Sequence, residues 1–130
     1  MIFDEYRKKW LVLTPEEWVR QHFAKYLEHL GYPAGLFALE TQLVLNGMSR
    51  RADIVIYNQQ RKPVVLVECK APSISITQKT FEQAAAYNSV LKVPFLLLTN
   101  GMAHFCLKTD EQGHSAFVEK IPDFTMLNEL

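Results

Sequence analysis

The sequence predicts an α/β fold: a mixed β-sheet with helices on its faces. Three observations lead there. A capped amphipathic helix comes first, a cluster of three strand-like segments follows it closely, and a second helix then leads into another apolar strand.

The first helix begins at Thr14-Pro15-Glu16-Glu17. Thr14 suits the N-cap, Pro15 the first helical position, and Glu17 completes a capping box. Val19, Phe23, Tyr26, Leu27 and Leu30 recur at helical spacing and predict its core face, and Gly31 is placed to end it. Residues 11–13 ahead of it are only a short apolar segment. Two strands follow, near 40–45 and 51–57, joined by the turn signal Asn46-Gly47. A polar loop, residues 58–63, leads to a third strand at 64–70, whose valines and leucine suit a strand buried on both faces. Ser75 or Thr77 can cap a second helix reaching about Leu91, with Phe81, Ala84, Ala85 and Leu91 as its apolar stripe. Strands are expected at 95–99 and 104–107 around Asn100-Gly101, and an edge strand at 117–121; the tail after Pro122 has no reading. The first three strands should form an antiparallel meander, and the second helix should cross over to lay 95–99 parallel to 64–70.

The chain of 130 residues has the size of one domain, read as a single unit 1–130, and at 48 % hydrophobic it can bury a core. Fourteen basic and fourteen acidic residues give a formal net charge of zero, so nucleic-acid binding would need a local basic patch. Two cysteines, Cys69 and Cys106, are too few for a disulfide framework and suit a cytoplasmic protein. No run is long and apolar enough for a signal peptide or a membrane span.

The chemistry concentrates in Arg51-Ala52-Asp53 and Val67-Glu68-Cys69-Lys70. Alternate strand residues share a face, so Glu68 and Lys70 point the same way from an otherwise aliphatic strand. If Tyr57 pairs with Val64, the antiparallel register sets Asp53 opposite Glu68, at a Cβ separation of roughly 5 Å. Like charges that close repel unless a cation lies between them. A hard divalent ion suits two carboxylates, and Mg²⁺ takes few carboxylates and keeps its waters. Lys70 could then orient an attacking water and a scissile phosphate. The ordinary alternative is a set of structural ion pairs: Asp53 with Arg51 or Lys70, and Glu68 with Lys70.

An aspartate on one strand and Glu-x-Lys on the next, between two helices, resembles the PD-(D/E)XK nuclease superfamily. Within it RADIVIY, VLVECKAPS, FEQAAAYN and VPFLLLTNG resemble the type I restriction enzyme R-subunit (HsdR) N-terminal domain family, over about residues 14–107. The resemblance implies a restriction-endonuclease-like mixed sheet flanked by helices, with an αβββαβ core. It implies a metal-dependent nuclease hydrolysing DNA phosphodiester bonds, with Asp53, Glu68 and the Cys69 carbonyl holding Mg²⁺, or Mn²⁺ as substitute, and Lys70 catalytic. It offers Glu17 as a first-helix carboxylate near the metal, which the capping box also explains. It matches Gln83 and Tyr87 to a Gln-x-x-x-Tyr element beside the site, although they are equally ordinary helix residues. Ala52 replaces the name-giving proline. No GxxxxGK[ST] phosphate loop is present, so there is no motor, and protein partners would supply specificity or translocation. The alternative function is a non-catalytic nucleic-acid-binding or assembly module that keeps the nuclease fold.

Among the remaining residues, Arg20 is expected to pair with Glu16 or Glu17 on the helix surface, and His22 and His29 to lie at the core edge. Glu40 could face the site or serve Arg50 or Arg51. Arg50, Arg51, Arg61, Lys62 and Lys79 are basic residues expected near the site, as a phosphate-binding or merely solvated rim.

Overall fold

The computed structural model describes residues 1–45 and 48–130, without the side chains of 40–45, 48–50, 87 and 89–91. The expected Asn46-Gly47 turn and the side chains of Glu40, Arg50, Tyr87 and Leu91 therefore lie outside the described residues.

Strands β1 (Ile2–Asp4) and β2 (Lys9–Leu11) pair as an antiparallel hairpin. Three-residue strands carry too little alternation to be read in advance, and the sequence suggested only an apolar segment there. Helix α1 (Pro15–His29) starts where expected, with Thr14 accepting the Glu17 N–H and Pro15 at the first turn, but the Glu17 carboxylate is taken by Arg20, Gln21 and Arg7 instead of closing the expected capping box. It ends at Leu30, with Gly31 beyond it at φ 102°, a conformation that favours glycine. A 3-10 turn (Ala34–Leu36) leads into β3 (Phe37–Leu45), β4 (Met48–Tyr57) and β5 (Pro63–Cys69). Helix α2 (Gln78–Leu91) is capped by Thr77 in a reciprocal box with Thr80. Strands β6 (Phe95–Thr99), β7 (His104–Thr109) and β8 (Ser115–Val118) follow, then the short helix α3 (Phe124–Leu127).

Strands β3 to β8 form one six-stranded sheet in sequence order. Every neighbouring pair is antiparallel except β5 and β6, which α2 connects in parallel. This is the meander and crossover expected from the sequence. Helix α1 packs Val19, Phe23, Ala24 and Leu27 against Ile54, Ile56, Val65, Val67 and Leu97. On the opposite side Ala84 of α2 joins Val55, Leu66, Leu96 and Leu98.

Four details differ from the sequence reading. Tyr26 and Leu30 are exposed, because α1 turns a narrower stripe inward, with Ala24 in place of the bulkier pair. On α2, Ala85 is exposed while Thr80 and Asn88 are buried. Asn88 is satisfied there: its side chain donates to the Val93 carbonyl and accepts the Val93 N–H, tying off the helix end. Strand β8 starts at Ser115 and stops at Val118, because its pairing is set by the Asp110–His114 turn of the hairpin. The tail also has a structure: Phe124 and Leu127 are buried under the α1 side of the core, and Asn58 donates to the Leu127 carbonyl at 3.1 Å.

Candidate active site

Strand β5 is central, and its six residues from Val64 to Cys69 are buried. Val65, Val67 and Cys69 belong to the core under α1. Leu66 faces the α2 side, so alternation sends Glu68 there too. Glu68 is 5 % exposed and level with Leu98, another residue of that side. Lys70 follows on the same side, half-buried, and its N–H continues the ladder to the Thr99 carbonyl at 2.8 Å.

Asp53 is brought to this point by the register of β4 on β5. The paired residues Ile56↔Val65, Val55↔Leu66 and Ile54↔Val67 have the alignment expected, although Tyr57 pairs with Pro63 and not Val64. A β-bulge next to the hairpin loop absorbs the extra residue, so the error at Tyr57 does not propagate. One rung beyond Ile54↔Val67 stand Asp53 and Glu68. There the ladder gives way to a side chain: the Asp53 carboxylate accepts the Cys69 N–H at 2.7 Å. Ala52 packs with the α2-side cluster, where alternation from Ile54 would send it to the α1 side, so β4 turns about its axis at Asp53. Because the Lys70 N–H points to β6, the Cys69 N–H and carbonyl both point to the β4 side. The structure thus brings Asp53, Glu68, the Cys69 backbone and Lys70 together at the end of β5.

Glu17 belongs to a different cluster. It lies on α1, which packs on the other side of the sheet from Glu68. Its carboxylate accepts from Arg20 Nε at 3.0 Å, from Gln21 at 2.9 Å and from Arg7 at 3.2 Å. Arg20 also donates to Asp4 at 2.9 Å. Burial opposes the charge on both acids, but the arginine hydrogen bonds outweigh it and hold Glu17 and Asp4 below the usual carboxylate range. Arg20 is only 1 % exposed; it is a buried tie between the β1–β2 hairpin and α1, not the surface contact expected. Gln83 is exposed on α2, and the side chain of Tyr87 lies outside the described residues. His22 and His29 are exposed rather than at a core edge. Arg61 and Lys62 sit in the β4–β5 turn, at the far end of β5 from Lys70, so of the expected basic rim the described side chains at the site's end of the sheet are Arg51 and Lys79.

Two carboxylates and a backbone carbonyl form an oxygen donor set that suits a hard cation keeping several waters, with the Lys70 ammonium alongside. Among the described residues no group of three or more His, Cys, Asp or Glu side chains is gathered to hold a metal. A hollow of about 430 Å³ lies elsewhere, beside the hairpin, lined by Tyr6, Arg7 and Phe37 among others, and includes none of Asp53, Glu68, Cys69 and Lys70. The sequence reading missed Asn100 as more than a turn residue. Its side chain accepts the Met102 and Ala103 N–H groups and donates to the Ile74 carbonyl at 2.8 Å, which pins the segment after Lys70 to the β6–β7 turn. The Asn-Gly pair was the only signal.

The sheet order and the single crossover, with Asp53 beside Glu-x-Lys, are those of a restriction-endonuclease-like fold. The sequence pattern of the type I restriction enzyme R protein N terminus (HSDR_N) family matches residues 15–122, and the chain belongs to that family. Among solved structures it is similar to a fragment described as an HsdR subunit of a type I restriction enzyme from Vibrio vulnificus YJ016, with a TM-score of 0.64 at 20 % identity over 92 % of this chain and 25 % of that one. It is also similar to a DUF820 protein described as a nuclease from Anabaena variabilis ATCC 29413, with a TM-score of 0.56 at 12 % identity over 92 % of this chain and 79 % of that one. A third is the type IIG restriction endonuclease BpuSI, with a TM-score of 0.54 at 22 % identity over 88 % of this chain and 15 % of that one. The chain therefore spans a quarter of the Vibrio chain and a smaller part of BpuSI. No curated protein matches. Among the described residues, no helix is long and apolar enough to cross a membrane.

Proposed function

We propose that this domain is a metal-dependent nuclease that hydrolyses DNA phosphodiester bonds, with Mg²⁺ as cofactor and Mn²⁺ as substitute. One observation carries the reading: the Asp53 carboxylate is fixed on the N–H of Cys69, the residue between Glu68 and Lys70, in a member of a restriction-enzyme family. Asp53, Glu68 and the Cys69 carbonyl would hold the ion. When bound it lowers the pKa of a coordinated water and stabilises charge on the phosphoryl oxygens. Lys70, on the same side as Glu68, supplies a positive charge that can hold the attacking water and the scissile phosphate in line. Gln83, exposed on α2, is available to the sugar-phosphate backbone, with Tyr87 one turn further along the same helix. Glu17 is assigned a structural role with Arg20. The setting for this activity is the cytoplasm, and membership of a type I restriction enzyme R protein family supports protein partners that supply specificity or translocation.

Cleavage of single- and double-stranded DNA, with Mg²⁺ or Mn²⁺, tests the reading on wild type, Asp53→Asn and Lys70→Ala. Each substitution is expected to lower the rate by about 10²-fold or more, as loss of a transition-state contact does. Equal cleavage by all three proteins would overturn it. The balanced charge of the chain favours a second reading, an assembly or DNA-binding module without turnover. It predicts Mg²⁺ and DNA binding by calorimetry with no cleavage by wild type.

A further inference from the structure

Lys70 stands where β5 passes into the segment 71–77, and hydrogen bonds close a ring around that point. The Lys70 N–H donates to the Thr99 carbonyl at 2.8 Å. The Ile74 N–H donates to the Ala71 carbonyl at 2.9 Å, which turns the chain back. The Ile74 carbonyl then accepts the side-chain amide of Asn100 at 2.8 Å. The chain leaving Lys70 is thus tied at both ends to two consecutive residues, Thr99 and Asn100. Pro72, between the ties, has its φ fixed by its ring.

The support is the firmer side of this ring. Asn100 is buried, and its side-chain oxygen accepts the Met102 and Ala103 N–H groups at 2.9 and 2.8 Å. Thr99 is buried too; its hydroxyl accepts the Gly101 N–H at 3.0 Å and lies 2.6 Å from His104 Nδ1. Gly101 leaves little slack toward α1, since a Cβ there would lie 3.3 Å from Val19 Cγ2. The turn is therefore set by β6, β7 and α1. Asn100 uses its oxygen for that turn and its amide N–H for the loop after Lys70, so this side chain joins the two.

We infer that Asn100 is a positioning residue for Lys70. Through the Ile74 carbonyl it fixes the path of the chain beyond β5, and with it the place of the Lys70 ammonium on the Glu68 side of the sheet. What Lys70 does there rests on the nuclease reading; where Lys70 is held rests on the ring of hydrogen bonds. A lysine reaches its target on a flexible four-carbon stem, so its backbone must supply the precision. Misplacing a reacting group by about 1 Å can cost on the order of 10²-fold in rate.

Asn100→Asp separates the two halves of the amide. Its carboxylate still accepts both turn N–H groups but has no N–H for the Ile74 carbonyl. Asn100→Ala, which brings no charge, is the second variant. In DNA cleavage with Mg²⁺ or Mn²⁺, both are expected to lower kcat by about ten-fold or more, with KM and Mg²⁺ affinity near wild type. In a Lys70→Ala background the same changes should cost little further, because the group being positioned is gone. A merely structural role would give losses that add. A second readout needs no cleavage: acylation of Lys70 by a water-soluble amine reagent, measured by peptide mass spectrometry relative to exposed Lys120. It should rise several-fold in Asn100→Asp, as the released segment uncovers the half-buried amine. Unchanged relative labelling of Lys70 in both folded variants, or losses that add to that of Lys70→Ala, would overturn the proposal. The two readings fail separately. Raised labelling in a protein that cleaves nothing removes the nuclease and keeps the positioning role, and cleavage with unchanged labelling does the reverse.

Discussion

The carboxylate of Asp53 has a structural task as well as the proposed chemical one, and the two can be separated. It is the acceptor for the Cys69 N–H where the β4–β5 ladder ends. Asp53→Ala removes that acceptor, and we expect it to cost about 1–3 kcal/mol in urea unfolding. Asp53→Asn keeps an oxygen there, so its midpoint should stay near wild type while cleavage is lost. Equal destabilisation by both would show that the charge, not the hydrogen bond, matters to the fold. Arg20 is a stricter case. Its guanidinium is buried between Asp4 and Glu17. Arg20→Met removes the buried guanidinium that both acids share and leaves them to Arg7, so it should lose up to roughly 3–5 kcal/mol, and Arg20→Lys should recover little, since an ammonium cannot fork to both. A midpoint for Arg20→Met close to wild type would refute this. At this scale the proposed site was legible, because strand alternation and antiparallel register are arithmetic on Asp53, Glu68 and Lys70. The Arg20 tie was not, because Asp4 lies in a hairpin too short to show periodicity and pairs across 16 residues.

Elements were legible where both ends carry signals. Thr14-Pro15 and Gly31 bound α1, and Thr77 opens α2. They were misread where pairing sets the limits: β8 follows the Asp110–His114 turn, and α2 buries Thr80 and Asn88 because polar groups there bond locally. Two glycines distinguish backbone demand from packing demand. Gly31 ends α1 at φ 102° with open space around the position of a Cβ. Gly101 has φ 85°, and a Cβ there would lie 3.3 Å from Val19 Cγ2. Gly31→Ala should therefore cost only the backbone term of about 1–2 kcal/mol. Gly101→Ala should cost more, since it also presses on the α1 residue that seats the helix on the β6–β7 turn. Thermal unfolding of the pair checks the order, and a larger loss at Gly31 would contradict the packing account.

Across the whole molecule, the site stands at the C-terminal ends of the parallel pair β5 and β6, where open α/β sheets commonly place their chemistry. The same end of the sheet receives the first turns of α1, so acid stability and the site share a support. Asp4 and Glu17 are held below their ordinary values of 3.8 and 4.5. The unfolded chain therefore binds protons first, and the stability these groups add is complete above about pH 4.5 and lost as pH falls through their folded values. His104 acts in the same direction at higher pH. Desolvation against Phe23 and Tyr26 lowers it from 6.5, with Thr99 Oγ1 2.6 Å from its Nδ1. Its contribution is complete above 6.5 and declines below it, but the ring remains partly exposed, so this step is the smaller. Urea midpoints taken from about pH 8 to about pH 3 should thus show a plateau, a shallow decline and then a steep one. His104→Gln should remove the shallow decline alone. Arg20→Met should start lower and shorten the steep limb by the share of Glu17, which Arg20 does most to hold down, while Arg7 and the Tyr6 N–H go on favouring the charged form of Asp4. A steep limb of unchanged size in Arg20→Met would place the acid-sensitive contacts elsewhere in the molecule.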